Sequence, residues 1–304
     1  MLPLRDADRV KVLSAVARTG AFYRTRRVAA ITASLAILVV VPLTELVRLD
    51  LWGGQHRLLG EAVDAVTGVK GFVVAMGVLY SFTFITNMLV GRFFCGWGCP
   101  VGYVSRVGEE VRVRGGKTRF GKIRQHVLGA GFVGTFVAAI MLWWVDPRVL
   151  LDGSAQARWT TLGIFVGLSA GGFLHAFYWQ FAFCRNVCPV GVYYRFVTSR
   201  APVGIVFDKL RNVCIECGSC ERVCPVDLDP KTFGEEDAFA VDSEGAVARD
   251  NDAECLRCGD CVEACSMVFS KKPGLPAPLR FGMTRKGSGA VVPPAPAAPD
   301  ACPL

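Results

Sequence analysis

CIECGSCERVCP, Cys214–Pro225, returns further along the chain as CLRCGDCVEACS, Cys255–Ser266. Both runs space their cysteines Cys-x2-Cys-x2-Cys-x3-Cys: Cys214, Cys217, Cys220 and Cys224, then Cys255, Cys258, Cys261 and Cys265. Thiolates at this spacing hold 4Fe–4S cubes, with the fourth cysteine of each run crossing to the other cluster. The reason is geometric: a tight loop aims three sulfurs at three corners, and the fourth corner needs a remote ligand. One set is therefore Cys214, Cys217, Cys220 and Cys265; the other is Cys255, Cys258, Cys261 and Cys224. Zinc sites want two CxxC pairs rather than two four-cysteine runs. The expected cofactors are two 4Fe–4S clusters, and the expected work is moving electrons.

Composition says where. A hydrophobic content of 52%, a mean hydropathy of +0.38 and only 20% charged residues in 304 are too apolar for a soluble redox protein. Residues 29–47, 70–91, 126–145 and 161–183 each approach the ~20 apolar residues that cross a bilayer. The first follows a basic segment, as a signal peptide would, but no small-residue cleavage site follows it, so it reads as a retained helix. The expected organisation is a basic N-terminal segment (1–28), a four-helix transmembrane domain (29–200), a two-cluster domain (201–270) and a disordered tail rich in Pro, Ala and Gly (271–304).

Loop charge predicts the orientation. Arg5, Arg9, Lys11, Arg18, Arg24, Arg26 and Arg27 precede the first span. Arg92, Arg106, Arg112, Arg114, Lys117, Arg119, Lys122 and Arg124 lie between the second and third. The two other loops are short and nearly neutral. By the positive-inside rule both termini, the middle loop and the clusters are cytoplasmic. The net charge of +8 is then a topology signal, not a nucleic-acid footprint. In that compartment thiols stay reduced, which makes the cysteines ligands rather than disulfides.

A second repeat lies inside the membrane region. FCGWGCPVG, Phe94–Gly102, recurs as FCRNVCPVG, Phe183–Gly191, each copy where a span leaves the membrane. The repeat is parallel: two helical hairpins, each ending in CxxxCP. If the last turn stays helical, cysteines at i and i+4 share one face. Two such pairs, Cys95 and Cys99 with Cys184 and Cys188, can offer four thiolates to a soft metal or cluster. They can also act as redox dithiols near the limit of disulfide geometry, or pack as small hydrophobes.

Four spans with CxxxCP after the second and fourth, followed by two four-cysteine motifs, resemble the NapH/MauN family of membrane-bound polyferredoxins. The resemblance runs from about Arg24 to Phe269 and includes Cys265-Ser266, where a ferredoxin has Cys-Pro. It implies an integral-membrane four-helix bundle of two parallel hairpin repeats, joined to a small α+β ferredoxin domain of the bacterial two-cluster type. It also implies a bacterial inner-membrane protein, an electron-transfer subunit of a quinol dehydrogenase. Its partners would be the quinone pool and another redox protein or ferredoxin-type subunit. Cys95, Cys99, Cys184 and Cys188, together with His175, are then the expected quinol site. The alternative is a copper maturation factor whose CxxxCP thiolates bind Cu(I) and whose clusters supply the reducing electron.

Other residues have two readings each. His175, within the fourth span, can hydrogen-bond a quinol and accept its proton, or simply pack. No two of His56, His126 and His175 stand at one depth, so no haem is expected, and no flavin motif is present. Ser81, Thr83, Thr86 and Asn87 line a polar pocket or join helices. Gly163, Gly167 and Gly171 permit close helix approach, and Trp143 and Trp144 mark an interface belt. Ten acidic residues between Pro225 and Glu254 flank a short expected hairpin at Phe239–Ala248 and can dock a basic partner. Cys302 has no partner spacing.

Overall fold

The computed structural model describes residues 12, 15, 22–114, 119–197, 201–207, 214–233, 251–271 and 276–283. The expected hairpin at Phe239–Ala248 and Cys302 lie outside them. The described residues are mostly helical, and among them four helices are long and apolar enough to cross a membrane. These are α1 (Phe22–Leu43), α2 (Ala65–Val90), α5 (Arg119–Met141) and a long run beginning with α7 (Ala155–Leu174). Each begins several residues before its apolar stretch, because basic and small residues extend the helix into the interfacial zone. Val73, Val78 and Phe82 of α2 are 61–68% exposed, a surface that lipid rather than water would cover.

Two compact units form, and they cut the chain differently from its hydropathy. One contains residues 1–29, 84–99 and 181–304; the other contains 30–83 and 100–180. Both CxxxCP loops therefore fold with the cluster motifs.

The membrane unit carries α4 (Pro100–Arg114), α5, α7 and a π-helical turn, His175–Trp179. Val104, Val133, Val137, Ala176 and Phe177 form its core. Gly108 makes this packing possible, since a Cβ there would sit 2.1 Å from the carbonyl of Ala176. Among the described residues nothing lies within 4 Å of a Cβ placed on Gly163, Gly167 or Gly171, so no described helix makes the close approach expected of them. The first short loop, read from sequence as plain and neutral, is a three-stranded antiparallel sheet: β1 (Val47–Arg48), β2 (His56–Leu58) and β3 (Glu61–Val63). It is laced to the second loop. Leu49 and Leu51 donate to the carbonyls of Trp143 and Trp144, and Arg48 pairs with Asp146 at 2.8 Å.

The cluster unit is built on a two-stranded sheet of β4 (Val203–Phe207) and β5 (Leu279–Met283), with Ile205 opposite Phe281. β5 lies in the stretch expected to be disordered. Leu279 is buried and the pairing supplies the backbone bonds, so a Pro-rich composition did not prevent a strand there. Helix α12 (Asp260–Ser270) packs on this sheet and carries Cys261 and Cys265.

The start of α1 is fastened to the same helix. The first N–H groups of a helix lack internal partners, and the Glu263 carboxylate accepts from Tyr23 and Arg24, the latter at 3.0 Å. Arg27 pairs with Asp260 at 2.8 Å and donates to the Cys258 carbonyl at 2.7 Å. Both members of the pair are buried. Arg27 reads in sequence as one charge among many; in the fold it is an anchor. Removing it leaves a carboxylate uncompensated in the interior, which costs about 3 kcal/mol. Arg27→Ala is expected to lower the melting temperature of the cluster unit and Arg27→Lys to restore part of it, followed by thermal loss of cluster absorbance.

Candidate iron–sulfur and redox site

The two ferredoxin-like runs fold alike. Each has left-handed residues flanking its second cysteine: Glu216 and Gly218 around Cys217, Arg257 and Gly259 around Cys258. Residues with positive φ curl the chain tightly, and here they wrap each loop around a small cavity. Cys214, Cys217, Cys220 and Cys265 line one cavity. Cys224, Cys255, Cys258 and Cys261 line the other. Cys265 thus lies at the cavity of the first run, and Cys224 at that of the second. Backbone N–H groups point at the sulfurs, Leu228 to Cys224 at 3.3 Å and Arg257 to Cys255 at 3.4 Å.

The surroundings of the two cavities differ. Cys214, Cys217 and Cys220 are half-buried, while Cys224, Cys255, Cys258 and Cys261 are all buried. Burial pushes the thiols of Cys220 and Cys255 up to about 12 and that of Cys265 to about 11. Free thiols there are neutral; ligation displaces their protons, so loading iron releases acid. The four-thiol lining and the inward-pointing N–H groups fit a 4Fe–4S cube. When bound, such a cube supplies one-electron transfer.

Both CxxxCP loops share one local design. The carbonyl of Phe94 accepts from Cys99 at 2.9 Å, and that of Phe183 accepts from Cys188 at 2.8 Å. Helices α3 (Phe93–Trp97) and α8 (Gln180–Asn186) end inside the motifs, and α4 and α9 (Pro189–Val197) restart at the proline that follows each second cysteine. Proline at the first helical position suits that restart. The cysteines of a pair therefore do not ride one continuous helical face, as expected above; a break lies between them. Across the repeat they influence one another electrostatically. Cys95 has Cys99 and Cys188 as electrostatic neighbours, and Cys184 has Cys95, Cys99 and Cys188. Among the described residues, no three Cys, His, Asp or Glu side chains close in on a single metal ion.

These loops rest directly on the buried cluster motif. A Cβ on Gly96 would lie 2.2 Å from the Leu256 carbonyl, and Trp97 Nε1 donates to the Arg257 carbonyl at 2.9 Å. From the second copy, Arg185 pairs with the buried Glu254 and donates to the Val226 carbonyl at 3.2 Å. Arg195 joins the same carboxylate at 3.3 Å. Arg92, 1% exposed, donates to the carbonyls of Cys184 at 2.8 Å and Glu254 at 3.4 Å, tying both repeats to the motif. Gly191 leaves room for it, since a Cβ there would sit 2.8 Å from Arg92 Nη2. Asn87 Oδ1 accepts from Phe94 at 3.0 Å and so holds the first loop.

The expected quinol residues fall in both units. The four cysteines lie in the cluster unit. His175 lies in the membrane unit, in the π-helical turn, with Nε2 at 2.9 Å from Ser105 Oγ. Thr83 bonds the carbonyl of Tyr80, a role within its own helix. Sequence reading passed over an open groove in the membrane unit lined by His126, Phe165, Ser169 and Phe173, with the imidazole stacked on Phe177 at 5.7 Å. Ser169 and Phe173 stand four residues apart on α7, a spacing that was visible but lost in a generally apolar span.

A fold with helices long and apolar enough to cross a membrane and with cysteine-lined cavities of this kind is that of a ferredoxin-type iron–sulfur protein. A family model described as a 4Fe-4S dicluster domain matches residues 205–266. One described as a 4Fe-4S binding domain matches twice, at 72–117 and 160–211. The relatives bear out the resemblance read from the motifs. The chain is 27% identical to the ferredoxin-type protein NapH of Escherichia coli, over 74% of this chain and 73% of that one. It is 27% identical to NapH of Haemophilus influenzae, over 59% and 61%. It is 30% identical to the methylamine utilization ferredoxin-type protein MauN of Methylorubrum extorquens, over 63% of each. The last two matches thus span less than two thirds of those relatives. No solved structure matches.

Proposed function

We propose that this chain takes electrons from membrane quinol and delivers them to a partner redox protein, as the electron-transfer subunit of a quinol dehydrogenase. The observation that carries the reading is the seating of both CxxxCP loops on the motif that forms the buried cysteine cavity. Redox groups joined by backbone contacts form a continuous path, and the half-buried Cys214 set offers the partner an approach. Cys214, Cys217, Cys220 and Cys265 would hold one 4Fe–4S cluster; Cys255, Cys258, Cys261 and Cys224 would hold the other.

Oxidation of a quinol to the quinone releases two electrons and two protons. The groove of His126, Phe165, Ser169 and Phe173 has what a quinol ring needs: apolar walls, aromatic faces and few polar groups. His175, backed by Ser105, is the group assigned to receive a proton. NapH and MauN are named as ferredoxin-type proteins, one of them for methylamine utilization, and this supports the electron-transfer class.

The charge asymmetry of the loops supports an inner-membrane protein with both termini and the cysteine cavities in the cytoplasm. A reporter active only in the periplasm should be silent when fused after Phe269 and active when inserted within residues 52–58; the reverse pattern would move the clusters outside.

For the reaction itself, Cys95→Ser and Cys188→Ser should leave the ferredoxin-type EPR signals intact and slow their appearance under quinol by about a hundredfold. His175→Ala should slow the same reaction and remove a group from its pH profile. Variants that are reduced at the wild-type rate would sink the quinol reading. Loss of Cu(I) binding with quinol reduction unchanged would favour copper maturation instead.

A further inference from the structure

Each copy of the repeat carries two cysteines, Cys95 and Cys99 or Cys184 and Cys188, and the matched 4Fe-4S binding segments contain no others. A 4Fe–4S cube takes four thiolates. Neither copy can hold one alone. Cys95 packs against the same core cluster that contains Cys184, and Arg92, three residues before Cys95, donates to the Cys184 carbonyl at 2.8 Å, so the two half-sets share one neighbourhood inside the unit that holds the other cysteine cavities. Among the described residues no three Cys, His, Asp or Glu side chains close in on a single metal ion, and a cube spreads its ligands more widely than one ion does.

Charge gives a second, independent indication. Arg92 is buried beside Cys95, its hydrogen bonds run to the carbonyls of Cys184 and Glu254, and Nε has no acceptor among the described residues. The nearby Glu254 carboxylate is engaged by Arg185 and Arg195. A buried cation is stable only beside a compensating negative charge. Four neutral thiols supply none; four ligating thiolates around an iron–sulfur core make an anionic centre.

We propose that Cys95, Cys99, Cys184 and Cys188 together hold a third iron–sulfur cluster, shared between the two halves of the repeat, with Arg92 as its buried counter-charge. The inference deepens the quinol reading by giving the CxxxCP site a one-electron acceptor. The stepwise loss of two electrons from quinol would then begin there.

Iron and acid-labile sulfide in anaerobically purified full-length protein should be about twelve each per chain, against about eight for the ferredoxin-like motifs alone. Cys95→Ser combined with Cys184→Ser should remove about four irons and keep both ferredoxin-type EPR signals. Arg92→Met should shift the redox midpoint of the extra centre to a more negative potential, and Arg92→Lys should restore it. Wild-type protein with about eight irons, or a double variant with wild-type iron, would overturn the proposal even if a variant folds poorly. Twelve irons without quinol-driven reduction would sink the quinol reading alone; eight irons with it would sink the third cluster alone.

Discussion

Four sulfurs must surround an iron–sulfur cube, and one short loop can aim only three of them. The cysteine architecture of this chain answers that constraint. In the cluster unit each loop lends its last cysteine to the other cavity, so Cys265 joins the Cys214 loop and Cys224 joins the Cys255 loop. The left-handed residues Glu216, Gly218, Arg257 and Gly259 let both loops curl in the same way. In the proposed third cluster, the CxxxCP repeat meets the same need by pairing two half-sets. Sharing ligands across the chain also makes loading and folding interdependent.

In the proposed function, the contact between the CxxxCP loops and the buried motif is the path for electrons. It includes several close approaches: Gly96 against the Leu256 backbone, Gly191 beside Arg92, and Gly91, at φ +70, close to the Arg257 guanidinium. Buried charges are correspondingly paired. Glu254 serves Arg185 and Arg195, Asp252 serves Arg257 at 2.6 Å, and Asp260 serves Arg27. Removing one member of such a pair exposes its partner's full desolvation cost, which makes this region intolerant of single changes.

The 4Fe–4S cysteine motifs were legible because their spacing is local and their chemistry is narrow, and the four candidate spans because about twenty apolar residues form a long signal. The roles of Arg27, Asn87, Arg92 and Gly96 were not. Each acts on a partner through the fold: Arg27 on Asp260, Arg92 on Glu254 and Gly96 on Leu256. Nothing in a charge count separates such an anchor from a topology signal. The β1–β3 sheet was missed because its strands are only two or three residues long, and β5 because composition overrode a local apolar pattern. At the CxxxCP pairs a break before Pro100 and Pro189 stands where a continuous helical turn was one reading of the spacing.

The most direct test of the central claim is the rate at which quinol reduces the iron–sulfur signals of Gly96→Ala. The added methyl must push the Cys95 loop off the Leu256 carbonyl while every cysteine remains in place. Small displacements along a reaction path have large kinetic effects, and a slowing of about tenfold or more is predicted with iron content unchanged. Reduction at the wild-type rate, with iron intact, would show that electrons do not depend on this contact and would contradict the account.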